Sequence, residues 1–350
     1  MTIGKYRKES RVKRKLLLAL TVIFCFILIF NAVACAPQSP SQNGEISNNS
    51  NLNSEKCNIQ LILNNSDTDI TVTVEYGKTL STPEDPQKAN YIFVGWYTDP
   101  LLLTKYDFSS PVYRDMTLYA KYELDALTLT NTVSQETMKG VVKIHNTSYN
   151  SILGIKYDET TSQGSGFCFH IQDGYYYVLT NNHVITLESG RKKQQIQIED
   201  YQGNLYDATI YTNSNKGYKA ASADYDLACL YFKPSSTNVQ KLEMESENPE
   251  IGEDVISVGA PKGQSNSINY GKLYGYPTIT LTDTDPNESN VTFPVIQHNG
   301  YSNNGSSGGP LLNTDLKVIG VNYAITKNTD KAYAVPIEKV REFLKKYVYN

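Results

Sequence analysis

The sequence predicts a mainly β protein, and three observations carry that reading. Tyrosine is abundant, 27 in 350 residues, alongside many Thr, Val and Ile, residue types that suit a pleated, half-buried surface. Short runs such as ITVTVEYG, YYYVLT and DLACLYF are separated by Gly, Asn and Asp turns rather than by helix-length segments. Regular short strands without intervening helices favour a sandwich or barrel over alternating βαβ units. The tail differs. In PIEKVREFLKKYVYN, Ile337, Val340, Phe343, Leu344 and Tyr347 recur at helical spacing and Pro336 suits a first helical position, so one amphipathic helix closes the chain.

The N-terminus is of another kind. Residues 1–15 hold seven Lys or Arg and one Glu, and residues 16–30, LLLALTVIFCFILIF, carry no charge. A basic stretch followed by an apolar one is an export signal. It runs into AVAC, residues 32–35, which resembles the lipobox of bacterial lipoproteins. That resemblance implies a signal peptide over 1–34 and acylation of Cys35. The alternative is an uncleaved anchor, since residues 16–36 just suffice to span a bilayer of ~30 Å. Either way the remainder lies at the extracytoplasmic face of the membrane. The first 15 residues are +6 against −4 for the whole chain, so the exported part is −10. No basic patch survives in it, which excludes nucleic acid as a partner. Residues 35–56 are Ser-, Asn-, Gln- and Pro-rich with almost no apolar content, and read as a disordered tether.

Of five cysteines, Cys25 sits in the apolar stretch and Cys35 at the lipobox, leaving Cys57, Cys168 and Cys229. Three scattered thiols make no disulfide framework. Cys168 and Cys229 lie in apolar strand-like runs, where buried free thiols are the default and a pair between them stays open. No spacing suggests a metal site, and no cofactor is expected.

Residues 57–123 form a first folded unit. CNIQLILNN and ITVTVEYG read as two strands joined by the turn-forming NNSDTD, followed by YIFVGWYTD and MTLYAKYE. Tyr76-Gly77, Pro83, Phe93-Val94-Gly95-Trp96-Tyr97, Tyr106-Asp107-Phe108 and Thr117 to Tyr122 follow in an order that resembles the Listeria–Bacteroides repeat of internalin B-repeats. The resemblance implies a small β-grasp-like domain of surface proteins, with Trp96 in its core rather than on a ligand platform. One copy is present, as a spacer or as a module for a cell-surface partner.

Residues 133–350 carry the chemistry. One hairpin is legible as FCFHI, the turn QDG, then YYYVLT. The run GSSGGP, 305–310, lets the backbone turn so sharply that amides near a serine converge on one point, which suits an oxyanion. A serine hydroxyl needs a base, and the base needs an orienting group. The chain has four histidines. His170 sits in strand-like alternation and His145 lacks a companion motif. His298 is a rival or a pocket-lining residue, and His183 in VLTNNHVI lies at a strand end, the favoured placement for the base. In ASADYDLACLYF, Asp226 at the strand entrance is favoured as the acid, with Asp224 the runner-up. Gly305 to Gly309 also fits G-x-S-x-G, but no histidine follows Ser307, which excludes the α/β-hydrolase order.

The order His183, Asp226, Ser307 is that of the chymotrypsin class. Residues 133–348 resemble a trypsin-like serine protease of the HtrA type through GSGF (164–167), LTNNHVI (179–185), DLACLYF (226–232), IGEDVISVGAPKG (251–263), INYGKLYG (268–275), VIQHNGYSNNGSSGGPLLN (295–313), VIGVNYAI (318–325) and AYAVPIEKV (332–340). The resemblance implies a chymotrypsin-like double β-barrel acting on polypeptide substrates. Ser307 would be its nucleophile, with the amides of Gly305 and Ser307, flanking Ser306, as oxyanion hole. Tyr301, Ser302 and Asn322 would shape the primary pocket, which lacks a nearby carboxylate and is expected to take apolar or small side chains. Ser306 departs from the Asn usual in the family. The PDZ domain common there does not follow, so regulation by PDZ peptide capture is not expected and the oligomeric state stays open. Rival readings are a catalytically inactive protease fold and an adhesin whose working part is the repeat module.

Overall fold

The computed structural model describes residues 55–259, 267–280, 285–300, 305–326 and 329–349. The expected signal peptide, Cys35 and nearly all of the tether lie outside the described residues, as do Tyr301 and Ser302. Glu55–Asn350 form one compact unit.

It begins with a four-stranded sheet of β1 (Lys56–Ile62), β2 (Ile70–Glu75), β3 (Tyr91–Tyr97) and β4 (Met116–Leu124), ordered β2-β1-β4-β3. The central pair β1–β4 is parallel and the outer pairs are antiparallel, as in a β-grasp, although no helix crosses the sheet. Along β1 the period of two is strict: Cys57, Ile59 and Leu61 point inward and their neighbours outward. Trp96 is buried and packs edge-on against Phe93, in the core role expected of it.

A helix the sequence did not suggest follows, α1 (Ala126–Gln135). Asp125 caps it by accepting a hydrogen bond from the Thr128 amide at 3.0 Å. Its Thr-rich sequence has weak helix propensity, so Leu129 and Val133, buried against the neighbouring core, hold it in place.

The first barrel uses β5 (Val141–Ile152), β6 (Ile155–Gln172), β7 (Tyr175–Thr180), β8 (Lys193–Glu199) and β9 (Leu205–Ile210). A two-residue ribbon of β10 (Thr212–Asn213) and β11 (Tyr218–Lys219) and the short β12 (Ala221–Ser222) lead into β13 (Leu227–Phe232). The order β13-β7-β6-β5-β8-β9 closes on itself where Leu230 pairs with Ile210. The β6–β7 turn falls at Asp173–Gly174, both left-handed (φ 54° and 76°), as a two-residue hairpin loop requires. β6 starts well before the expected FCFHI. Its exposed first half, Ile155 to Ser162, pairs with β5, and KYDETTS is polar on both faces, so no alternation marked it as a strand.

The second barrel comprises β14 (Asp254–Gly259), β15 (Ser267–Gly275), β16 (Ile296–His298), β17 (Pro310–Leu312), β18 (Val318–Ile325) and β19 (Ala332–Pro336), closed in the order β14-β15-β16-β19-β18-β17. The closing helix is α2 (Ile337–Tyr347), burying Ile337, Val340, Phe343 and Leu344. Pro336 precedes the first helical turn instead of occupying it. Its pairing with Gly320 in β19 keeps ψ extended at 153° while its ring holds φ at −66°. One apolar core joins the barrels: Phe167, Leu179 and Leu227 from the first, Ile256, Val258 and Val335 from the second, and Phe343 from α2. The two six-stranded barrels and the terminal helix make the chymotrypsin-like double barrel expected from the sequence.

The sheet domain docks on the second barrel. Tyr91 Oη donates to Asp254 Oδ2 at 2.9 Å, and Asn90 Nδ2 to the Thr314 carbonyl at 2.9 Å. Burial, then the Asp254 carboxylate, push the Tyr91 phenol well above its usual pKa. Cys57, Cys168 and Cys229 are free and buried, so the pairing left open for the last two does not form. Burial pushes the Cys168 thiol up to about 12.

Phe343 is wholly buried where α2 meets both barrels. Phe343→Ala should lower the unfolding free energy by about 3–5 kcal/mol in urea titrations followed by circular dichroism, with the m-value unchanged.

Candidate active site

The site forms where loops of the two barrels meet. β7 ends at Thr180, and the next three residues turn back as Asn181-Asn182-His183. Asp226 stands immediately before β13, which pairs with β7 from Ala228↔Thr180 onward, so the sheet register alone brings the two loops together. His183 Nδ1 lies 2.8 Å from Asp226 Oδ2, and the His183 amide donates to Asp226 Oδ1 at 3.0 Å. The carboxylate is wholly buried and grips the histidine by both backbone and ring.

Asp226 adopts a left-handed backbone, φ 47°, a conformation that Asp tolerates better than most residues. Asn181 Nδ2 donates to the Asp226 carbonyl at 2.9 Å, and the Asp226 amide to the Ala223 carbonyl at 3.1 Å, which together hold the unusual turn. Asp224, the alternative acid, is exposed and accepts from Asn290 Nδ2 at 3.2 Å. Of the two carboxylates, Asp226 is the one in contact with His183.

Burial lowers the His183 pKa. The Asp226 charge and hydrogen bond and the Glu288 charge raise it by more, so the net shift is upward. Asn182 fixes the Glu288 segment by donating from Nδ2 to the carbonyls of Asn287 and Glu288, at 3.2 and 2.9 Å. The other histidines lie elsewhere. His145 Nε2 is 2.7 Å from Glu199 Oε2, and His170 reaches Gln172 Oε1 at 3.3 Å on the strand surface. His298 is buried within the second barrel.

Ser307 is half-buried in a turn clamped from several sides. Its carbonyl accepts from the Ser165 amide at 2.8 Å, and Ser165 Oγ donates to the Gly305 carbonyl at 2.6 Å. Thr180 Oγ1, at the end of β7, donates to the Ser165 carbonyl at 2.7 Å. A chain of contacts therefore links the histidine strand to the serine turn. Gly164 shows how tight the junction is. A Cβ there would fall 2.6 Å from Val184 Cγ1 and 3.2 Å from the Ser307 carbonyl oxygen. The residue following His183 and the serine backbone thus press on the same glycine.

The turn itself depends on glycine. Gly308 has φ 87°, and a Cβ on it would lie 2.1 Å from the Ser165 carbonyl. The Gly308 amide donates to the Asn322 carbonyl, and the Asn322 amide to Gly309. Asn322 thereby brackets the turn from β18. Of the three expected pocket residues, it alone lies among the described residues. Ser165 and Asn181 were not singled out from sequence, although both stand within quoted strings, GSGF and LTNNHVI. Their hydrogen bonds run to residues 140 and 45 positions away, which no local pattern encodes.

Residues 164–321 match the family model of the trypsin-like peptidase domain, and residues 61–121 match that of the Listeria-Bacteroides repeat domain. The chain is 31% identical over 191 residues to the serine protease Do-like HtrA of Bacillus subtilis, covering 53% of this chain and 39% of that protein. It is 30% identical over 190 residues to serine protease HTRA4 of Mus musculus, covering 53% and 35%. The chain thus spans well under half the length of these curated relatives. In fold it is similar to the active form of the Rv3671c protease from M. tuberculosis, with TM-score 0.50 and 21% identity over 65% of this chain and 88% of that one.

Two outcomes test the site. Glu288→Gln should move the His183 titration midpoint downward, because it removes a charge that favours the imidazolium; histidine NMR of the wild type should place that midpoint above the usual value. Gly308→Ala, which must push a methyl group into the Ser165 carbonyl, should cost more than the about 1 kcal/mol of a conformationally compatible glycine substitution, read by thermal unfolding.

Proposed function

We propose that this chain is a serine endopeptidase tethered to the outer face of a bacterial membrane. The observation that carries the reading is the 2.8 Å contact between His183 Nδ1 and a wholly buried Asp226, at the junction where Ser165 clamps the Ser307 turn. A carboxylate on Nδ1 leaves Nε2 as the basic nitrogen. In the proposed mechanism His183 takes the proton of the Ser307 hydroxyl as that oxygen attacks a peptide carbonyl. Asp226 holds the ring and stabilises the imidazolium. The amides of Gly305 and Ser307, flanking Ser306, would receive the oxyanion. His183 then protonates the departing amine, and water hydrolyses the acyl-enzyme on Ser307. Substrates are polypeptides.

The tether belongs to the same proposal. The basic and apolar stretches of residues 1–30 and the Ala-Val-Ala-Cys ending at Cys35 support export and lipidation, with an uncleaved anchor as the variant form. The repeat-like domain would then stand between the tether and the protease, either as a spacer or as the contact for a cell-surface partner.

A fluorophosphonate probe tests the nucleophile. Wild-type protein should be labelled and Ser307→Ala should not. His183→Ala should lower peptide turnover by ~10⁴-fold. Equal labelling of wild type and Ser307→Ala would remove the serine from its role, and near-normal turnover in His183→Ala would remove the base.

A further inference from the structure

The β5–β6 hairpin outruns its barrel. Pairing of β5 with β8 ends at Tyr149↔Lys193, and β7 joins β6 only from Phe167 onward. Beyond Tyr149 the two strands continue alone, from Asn150↔Tyr157 to Ile152↔Ile155, and turn at Leu153 and Gly154. Every residue from Ile152 to Ser162 is exposed. No core lies beneath this end, yet its tip is apolar: Leu153 is 98% exposed, Ile155 73%, Ile152 62% and Tyr157 48%. Apolar residues exposed singly are ordinary, but four adjoining ones are not. The backbone adds a second signal. Both turn residues are left-handed, Leu153 at φ 51° and Gly154 at φ 83°. Asp or Asn takes the first of these positions readily, as Asp173 does in the β6–β7 turn, whereas leucine there is strained. A strained leucine that packs against nothing in the fold points to a role outside it.

The groups behind the tip select the occupant. Tyr157 and Lys156 come first, the Lys156 ammonium lying 4.4 Å from the centre of the Tyr149 ring and donating to Gln195 Oε1 at 2.8 Å. Arg191, Lys192 and Lys193 follow, where the chain enters β8 beside Tyr149. Of the acids in this region, Asp158 is paired with Arg191 at 3.0 Å, and Glu159 and Glu188 stand exposed on the flanks. None interrupts the aliphatic cap. At ~3.3 Å per residue, Lys156 and Tyr157 stand roughly 5–10 Å behind the turn. An apolar end followed at that depth by aromatic and cationic groups is the layering of a bilayer interface. The tip is convex, so it offers a protein partner no groove, whereas a fluid bilayer conforms to it. The proposed tether over residues 35–56, with a span of roughly 25 Å, would hold the tip near one bilayer, where even weak insertion suffices.

Resting on the tethered reading, we infer that the tip of the β5–β6 hairpin is a membrane-contact site. Ile152, Leu153 and Ile155 enter the acyl boundary of the phospholipid bilayer that carries the tether, with Tyr157 and Lys156 at headgroup level. The contact has a consequence for the candidate active site. The same strand, β6, runs from Ile155 to Gly164 and Ser165, which touch the Ser307 turn. Insertion of the tip therefore sets that turn at most roughly 35 Å above the bilayer and fixes which way the site faces.

Trp96 is the sole tryptophan and is buried, so an indole added by Leu153→Trp reports on the tip alone. The full chain is reconstituted into vesicles of phosphatidylglycerol and phosphatidylcholine, with and without bromine on the acyl chains, and recovered by flotation. The added indole should be quenched by the brominated lipid, while Trp96 emission in the wild type stays unchanged. Ile155→Ser in the Leu153→Trp background should lower the inserted-to-free ratio read from the quenching by about tenfold or more. Should Leu153→Trp disturb the hairpin, seen as a lowered thermal unfolding midpoint, Ile155→Trp reports on the same surface from the opposite strand. A chain that floats with the vesicles but shows no quenching at either position overturns the membrane contact and leaves the tether standing. An indole that lipid does not quench, but whose emission shifts to shorter wavelength as protein concentration rises, assigns the tip to a second copy of the chain and overturns the inference. Failure to float overturns the tethered reading and this inference with it.

Discussion

The site depends on the burial of one carboxylate. Asp226 has no exposed surface, and an ionised group so placed is tolerated only where it is well hydrogen-bonded. Both its oxygens are used, one by the His183 amide and one by the His183 ring, so the same residue both satisfies the charge and is oriented by it. Stripping one partner from a buried charge of this kind costs about 3–5 kcal/mol in general. The left-handed backbone at Asp226, the Asn181 bond to its carbonyl and the pairing of β13 with β7 all serve to keep that carboxylate in place.

Across the barrel junction the constraint is steric rather than electrostatic. Gly164, Gly259 and Gly308 stand where a methyl group would strike the serine turn or its support: at Gly259 it would meet Ser306 Cα at 2.9 Å. Strands from both barrels thus reach the backbone around Ser307 at van der Waals contact, with Ser165 supplying the hydrogen bonds. Pre-set backbone around a nucleophile matters because catalysis by oriented dipoles requires that they need no reorganisation.

The sheet domain is part of the same compact unit. Tyr91 and Asn90 reach the second barrel at Asp254 and Thr314, and Lys272 completes the cluster with a 2.7 Å ion pair to Asp254. The Tyr91–Asp254 bond lies at the start of β14, the strand whose far end, Gly259, underlies Ser306. The repeat-like domain is therefore seated on the framework of the site, beyond whatever role it has as a spacer.

Much of this was legible in the chain itself. Alternation exposed the first strands of the sheet domain, short β-rich runs between turn signals pointed to the barrels, helical periodicity exposed α2, and the chemistry of serine, histidine and aspartate in a fixed order pointed to His183, Asp226 and Ser307 as candidates. These signals are local, or concern residue type, and so survive in one dimension. What the sequence could not decide was set by packing. That Asp226 is buried against His183 while Asp224 is exposed follows from the β7–β13 register, which no local pattern shows. α1 formed despite a Thr-rich sequence because its two apolar residues found a core made elsewhere. Ser165 and Asn181 gained their meaning from partners far along the chain. Their energies come from burial and long-range contact, which exist only once the barrels have closed.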